Sequence, residues 1–148
     1  MHPAEGRAMT GRIRFRQIAR AALAADPRMG SFSQISAWEA RPDAGRLPLL
    51  MVVTPVERAA QTTLSAFERA TVLQVGVKRL GSDDLEDLLD ADADAVEGAI
   101  CRAFQQAAIV CLPEEVTVTL NTDGEQAVGT LISSFRIVWR RPIPRPAP

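Results

Sequence analysis

Few residues of this chain have side chains suited to moving protons, attacking a substrate or binding a metal. His2 is the sole histidine among 148 residues, and tyrosine is absent. Ser-His-Asp and Cys-His arrangements, and most histidine metal sites, therefore have no members in the body of the chain. The glycine-rich phosphate-binding patterns are missing as well. We predict a protein without catalytic residues, metal or cofactor.

The acidic run from Asp83 to Glu97 is the strongest candidate for chemistry. It contains eight carboxylates and no basic residue. Asp87, Asp90 and Asp94 lie three and four apart on one helical face, where carboxylates can bind a divalent cation. A leucine stripe at helical spacing on the opposite side favours a solvated acidic face instead. A metal-dependent enzyme using this helix remains the weaker alternative.

Arginines concentrate at the two ends of the chain, whose net charge is −1. The first group is Arg7, Arg12, Arg14, Arg16 and Arg20, and the second is Arg136, Arg140, Arg141 and Arg145. The overall balance argues against a nucleic-acid-binding domain, whereas the guanidinium fork suits contacts with protein carboxylates. Cys101 and Cys111 follow no metal-binding pattern and are predicted to be reduced, mostly buried thiols.

The first half of the chain predicts a helix followed by two strands. The helix runs from a Thr10 cap to Asp26 and should present Ile13, Ile18, Ala21, Ala22 and Ala25 on one face. Phe32 to Glu39 alternates as a strand does. Leu47 to Thr54 is a continuous apolar run, typical of a strand covered on both faces or of an inner strand of a sheet, and Pro55 should end it. Residues 56–65 are predicted to form a mobile loop.

The second half predicts strand, helix and two further strands. Phe67 to Arg79 alternates clearly. A helix with capping-box spacing at Asp83 and Glu86 should run to about Ala107. Pro113 is expected to break the chain before strands at 116–120 and 128–140, which a turn at 121–124 joins. Sequential strands with short turns predict an α+β fold: a mainly antiparallel sheet of about five strands with two helices packed on one face.

The length fits one domain, which we place at residues 10–141. Residues 1–9 are predicted to be a flexible arm, and the Pro-rich residues 142–148 an extended tail. The start of the sequence lacks a signal-peptide core, and no run of about 18 apolar residues is present. We therefore expect no contact with a membrane, and a cytoplasmic location until assembly or lysis.

Several features in this order resemble the tail terminator, or minor tail, proteins of long-tailed bacteriophages and related prophages. They are the "AALAAD" helix end (Ala21 to Asp26), the "LPLLMVVT" strand (Leu47 to Thr54) with Glu57 soon after, "ATVLQVGVKRLG" (Ala70 to Gly81), the "DDLEDLLDADADAVEGAI" helix (Asp83 to Ile100) and "GEQAVGTLISSFRIVWR" (Gly124 to Arg140). The likeness spans roughly residues 10–141 and rests on the order of several weak motifs.

The resemblance implies a structural virion protein located in the tail, at the neck. Proteins of this family form a hexameric ring that caps the tail tube, stops its polymerisation and joins it to the head connector. The implied partners are further copies of the chain, the tail tube protein and the head-tail connector protein, with DNA only in transit. A neck or tail-completion (head-closure) protein of the same particle is the alternative within the virion. A cellular scaffold unrelated to phage is a third possibility.

A ring requires two different patches on each subunit, and the charge distribution suggests which residues form them. The candidates for subunit contacts are Arg12, Arg14, Arg16, Asp87, Asp90, Asp94, Arg136 and Arg140. The candidates for contacts with tube or connector are Arg41, Asp43, Arg46, Arg58, Asn121 and Asp123.

Overall fold

The computed structural model describes residues 11–35, 47–61, 63–64, 66–121 and 127–142. Two helices and five strands follow one another as α1 (Gly11–Ala25), β1 (Ser33–Ile35), β2 (Leu49–Gln61), β3 (Ala66–Gly81), α2 (Leu85–Gln106), β4 (Val110–Asn121) and β5 (Ala127–Pro142). A single 3-10 turn, Met29–Ser31, connects α1 to β1. The predicted Thr10 cap, Trp38, the rest of the first strand and the turn at 122–124 lie outside the described residues.

The five strands form one sheet in the order β1-β2-β3-β5-β4. The β2–β3, β3–β5 and β5–β4 pairs are antiparallel, whereas β1 pairs with β2 in parallel. The sheet is therefore mixed but mainly antiparallel. Because both helices pack on one face, the predicted α+β fold is confirmed.

The alternation of β3 and β5 places their side chains on two distinct faces. One face points toward the helices, and its buried residues are Leu50, Val52, Leu73, Val75, Val77, Leu131, Phe135 and Ile137. Gln74, Lys78, Arg136 and Arg140 point to the opposite face, as the two-residue period predicts. In β2, four consecutive residues, Leu49 to Val52, are buried, which confirms a strand covered on both faces.

Two prolines that were expected to end strands lie inside strands instead. Pro55 is part of β2, which continues to Gln61, so the predicted loop over 56–61 is wrong. Pro113 is part of β4. Each proline coincides with a register shift, between Val53 and Val56 in β2 and between Pro113 and Glu115 in β4. Proline lacks an N–H to donate, and strands accept it at bulges and on unpaired edges.

Helix α1 has almost the predicted length but a different buried face. Phe15, Ala19 and Leu23, spaced four apart, are buried, whereas Ala21 and Ala25 of the predicted face are exposed. Phe15 sets this face because its ring packs against both Phe104 and Trp139, with centroids 6.0 and 5.5 Å away. Packing of the largest side chain thus overrides the alanine-rich stripe.

Helix α2 lies across the sheet with the predicted apolar stripe inward. Leu85, Leu89, Val96, Ile100 and Phe104 are buried. The expected capping box is wrong, since Asp84 is the N-cap and makes no side-chain cap bond. Gly129 of β5 allows close packing here, because a Cβ at this position would come within 2.5 Å of Leu89 Cδ1. Neither described helix is long and apolar enough to cross a membrane.

Candidate functional site

The outer face of α2 carries a row of carboxylates. Glu86, Asp87, Asp90, Asp94 and Glu97 are all exposed. Within the described part of the chain, none of the five forms an ion pair. The predicted interface candidates Asp87, Asp90 and Asp94 are therefore brought together on one surface of the molecule.

Asp92 breaks this pattern, because it points inward and is fully buried. Its carboxylate accepts hydrogen bonds from Arg28 Nε at 2.7 Å and from Arg79 Nη1 at 2.8 Å. Arg79 also lies over the Phe32 ring, 5.3 Å from its centroid. The expectation that the whole acidic run is solvated is wrong here. The signal was in the spacing, since Asp92 lies three residues after Leu89 and four before Val96, in line with the apolar stripe.

The arginines of α1 differ in how far they are exposed. Arg12 and Arg14 are exposed. Arg16 is half-buried and donates to the Thr54 hydroxyl of β2. Burial and the neighbouring charges of Arg20 and Arg12 lower the pKa of Arg16. As an interface candidate Arg16 is therefore partly committed to contacts within its own subunit, unlike Arg12 and Arg14.

Three arginines occupy the sheet face that the helices leave uncovered. Arg58, Arg136 and Arg140 belong to the same side of β2 and β5 by the strand register. Arg136 Nε lies 3.1 Å from Glu114 Oε1, and both side chains are about half exposed. Arg58 and Arg140 are exposed, and neither has a partner among the described residues. Helix α2 lies on the other side of the sheet from all three.

A polar network joins β2, β3 and β5 next to the start of α1. Glu57 accepts hydrogen bonds from Arg69 Nη1 and from the Thr71 hydroxyl, both at 2.7 Å. Thr71 in turn accepts the indole N–H of Trp139 at 2.9 Å. The six-membered ring of Trp139 also packs under Gly11. These contacts hold the three strands and the start of α1 together.

The two thiols are free and only partly buried. Burial raises the pKa of Cys111 to about 12, and the nearby Cys101 adds to the rise. The pKa of Cys101 is raised by burial and by Glu97. A raised pKa keeps a thiol protonated and weakly nucleophilic, which is the opposite of what a catalytic cysteine needs.

The remaining candidates lie at the margins of the described structure. Asn121 is exposed at the end of β4, and Arg58 is exposed on β2. Arg41, Asp43, Arg46 and Asp123 lie outside the described residues. Of the predicted tube or connector contacts, the structure therefore locates only Arg58 and Asn121.

The described side chains do not form a metal-binding cluster. Among the described residues, no group of three or more His, Cys, Asp or Glu is placed to hold a metal ion, and this includes Asp87, Asp90 and Asp94. A shallow groove of about 230 Å³ runs between α1 and α2, lined mainly by alanines with Arg102 and Asp26 at its rim. Its one carboxylate, Asp26, accepts hydrogen bonds from the backbone N–H groups of Arg28 and Met29. No protein-family model matches the chain, and no curated protein matches it.

Proposed function

We propose that this chain is a structural subunit of a long-tailed phage particle: a tail terminator whose copies form a ring at the neck. The ring caps the tail tube, stops its polymerisation and presents a surface to the head connector. In this proposal the chain is not an enzyme and carries no cofactor. The ring is a hexamer, as in the family that the chain resembles.

Two lines of support come from the sequence and the fold. The order of motifs resembles that family over roughly residues 10–141. The α+β architecture places α1 and α2 on one face of the sheet, and on the other face Val56, Arg58, Leu112 and Arg140 are exposed. Flat sheet faces and exposed helices are common elements of protein interfaces.

The observation that carries the proposal is the separation of uncompensated charges. Five exposed carboxylates lie on α2, and Arg58 and Arg140 lie on the far side of the sheet, without ion-pair partners in the described chain. A surface on which all charges are negative favours association with a positively charged surface of another copy. Such a contact uses different patches on the two subunits, and it forms a ring where the rotation from one subunit to the next closes.

The test is mass measurement in solution, followed by imaging with purified tail tubes. The proposal expects a ring of a single size that binds at one end of each tube and limits tube length. Asp87→Lys combined with Asp90→Lys should impair ring assembly at low salt, because two attractive charges become repulsive. The circular dichroism spectrum serves as the control for folding. Unimpaired assembly of this variant, or a wild-type chain that stays monomeric beside tubes, would contradict the proposal.

The neck or head-closure alternative differs in position rather than in chemistry. Both kinds of protein are small and form rings, so the mass of the assembly does not separate them. A cryo-EM map of the particle does, because a terminator contacts the last ring of the tail tube directly. Density for this chain on the connector alone, without contact to the tube, would favour the alternative.

A further inference from the structure

The sheet face opposite the helices carries a group of aliphatic side chains that extends from β2 to the β4 edge. We call Val56, Val72, Val110, Leu112 and Val138 the sheet patch. The register places Val56, Val72, Arg136 and Leu112 in one row across four strands, and Arg58, Ala70, Val138 and Val110 in the next. Val56, Val110 and Leu112 are 43%, 54% and 43% exposed. Exposed apolar side chains grouped on one face are a feature of interaction surfaces.

Charges of both signs surround the sheet patch. Arg58 and Arg140 border it without ion-pair partners among the described residues, and Arg136 lies within it. Of the three nearby carboxylates, Glu114 is paired with Arg136, Glu68 is exposed opposite Arg140 in the strand register, and Glu115 is exposed one row from Leu112. An apolar centre with a charged rim is the usual anatomy of a protein–protein interface.

The complementary surface lies on the opposite side of the same molecule. The buried stripe of α2 packs on the covered face of the sheet, so its carboxylates at 86, 87, 90, 94 and 97 point away from the sheet patch. A contact between the two surfaces therefore joins different sides of successive copies and cannot be satisfied by a two-fold dimer.

The edge of β4 disfavours the competing arrangement, in which backbones of two copies pair into one sheet. Pro113 removes a backbone donor, and the bulge between Pro113 and Glu115 distorts the edge. The neighbouring Glu114 and Glu115 are exposed and would repel the same pair on a second copy. Proline, bulges and charges on an edge strand are known protections against strand addition. Association should thus use the side chains of the face.

We propose that the sheet patch of one copy packs against the acidic face of α2 of the next copy. This inference rests on the proposed ring and names its subunit contact. Burial of the patch valines and Leu112 supplies affinity, while Arg58 and Arg140 meet the α2 carboxylates at the rim and set the register. It also assigns Arg58 to the subunit contact rather than to the tube or connector.

The test uses two charge reversals and their mixture. Arg58→Glu/Arg140→Glu makes the rim of the patch acidic, and Asp90→Arg/Asp94→Arg makes the helix face basic. Each alone should raise the concentration for half-assembly by about tenfold at about 50 mM salt, measured by sedimentation velocity. An equal mixture should restore assembly, because each variant then offers the charge that its neighbour lacks. Restoration also excludes misfolding as the cause of the loss.

The matched control is Arg12→Glu/Arg14→Glu, which reverses two exposed charges on α1. The inference expects this variant to assemble like the wild type. If it alone prevents assembly while the other two assemble normally, the subunit contact uses α1; the docking inference is then wrong and the proposed ring stands. Failure of the equal mixture to assemble also contradicts the inference. A wild-type chain that forms no ring contradicts both proposals.

Discussion

At the scale of single residues, Asp92 shows how position decides what a carboxylate does. It shares helix α2 with five exposed acidic residues but is itself fully buried between Arg28 and Arg79. A carboxylate removed from water needs such partners, because an unpaired buried charge is strongly unfavourable. Asp92 therefore fixes α2 to the segment after α1 and to β3, while its neighbours are available for contacts outside the subunit.

Asp92→Ala should lower the free energy of unfolding by about 2–3 kcal/mol, because Arg79 and Arg28 lose their common partner. Partial exposure of both arginines keeps the loss below that of a fully buried triad. Asp90→Ala, two residues earlier and exposed, is the matched control and should change stability by less than about 0.5 kcal/mol. Urea titration followed by circular dichroism measures both. Equal effects of the two substitutions would contradict the structural role of Asp92.

At the scale of elements, the end of α2 contains a residue in an unusual backbone conformation. Ala108 has a φ of 58° and lies in the turn that leads into β4. The backbone N–H of Ile109 donates to the carbonyl of Phe104 at 2.9 Å, and that of Ala108 to Gln105 at 3.0 Å. These bonds satisfy carbonyls that the helix end would leave open, and such turns prefer glycine at the left-handed position.

Ala108→Gly is expected to stabilise the protein by about 1 kcal/mol, because glycine adopts a positive φ without the strain of a Cβ. Ala107→Gly is the control, since Ala107 has a φ of −82° and gains nothing from glycine. Thermal unfolding of the two variants should shift in opposite directions. A lower unfolding temperature for Ala108→Gly would show that the turn is not under this strain in solution.

Helices and strands were predictable from the sequence where a hydrophobic pattern repeats over many residues. The residues at which they end were not predictable. The helices and β3 are recognisable because several turns or alternations repeat the same pattern. The extension of β2 past Pro55 was missed because proline and small polar residues normally indicate a loop. Beyond Met51 no described β1 residue pairs with β2, so one edge of β2 can accept a residue without an N–H. Neighbouring strands, which a local pattern does not reveal, decide such cases.

The candidate site was predictable only in part, for a similar reason. Asp87, Asp90 and Asp94 were correctly placed on one helical face, and Arg136 and Arg140 on one strand face, by period alone. The sequence did not show that Arg16 differs from Arg12 and Arg14, because the contact of Arg16 with Thr54 joins residues 38 positions apart. The sheet patch combines residues of β2, β3, β4 and β5, and only the strand order brings them together.

At the scale of the whole molecule, the fold is a two-layer slab whose outer surfaces differ in charge. The helix layer presents the α2 carboxylates, and the sheet layer presents arginines around an apolar patch. The apolar core and the Asp92 ion pairs lie between these layers and away from solvent. Salt screens exposed charges far more than buried ones. The stability of the subunit and the association of subunits should therefore respond differently to ionic strength.

We expect sodium chloride to weaken association without destabilising the fold. Raising the salt from about 50 mM to about 1 M shortens the screening length from above 10 Å to about 3 Å, so rim charges on facing subunits contribute little. The concentration for half-assembly should rise by about tenfold, and some association should persist because the sheet patch is apolar. Sedimentation velocity at both salt concentrations measures the change, and the unfolding temperature of the dilute, unassembled chain is the control. Association that is unaffected by salt would mean that the separated charges do not form the subunit contact.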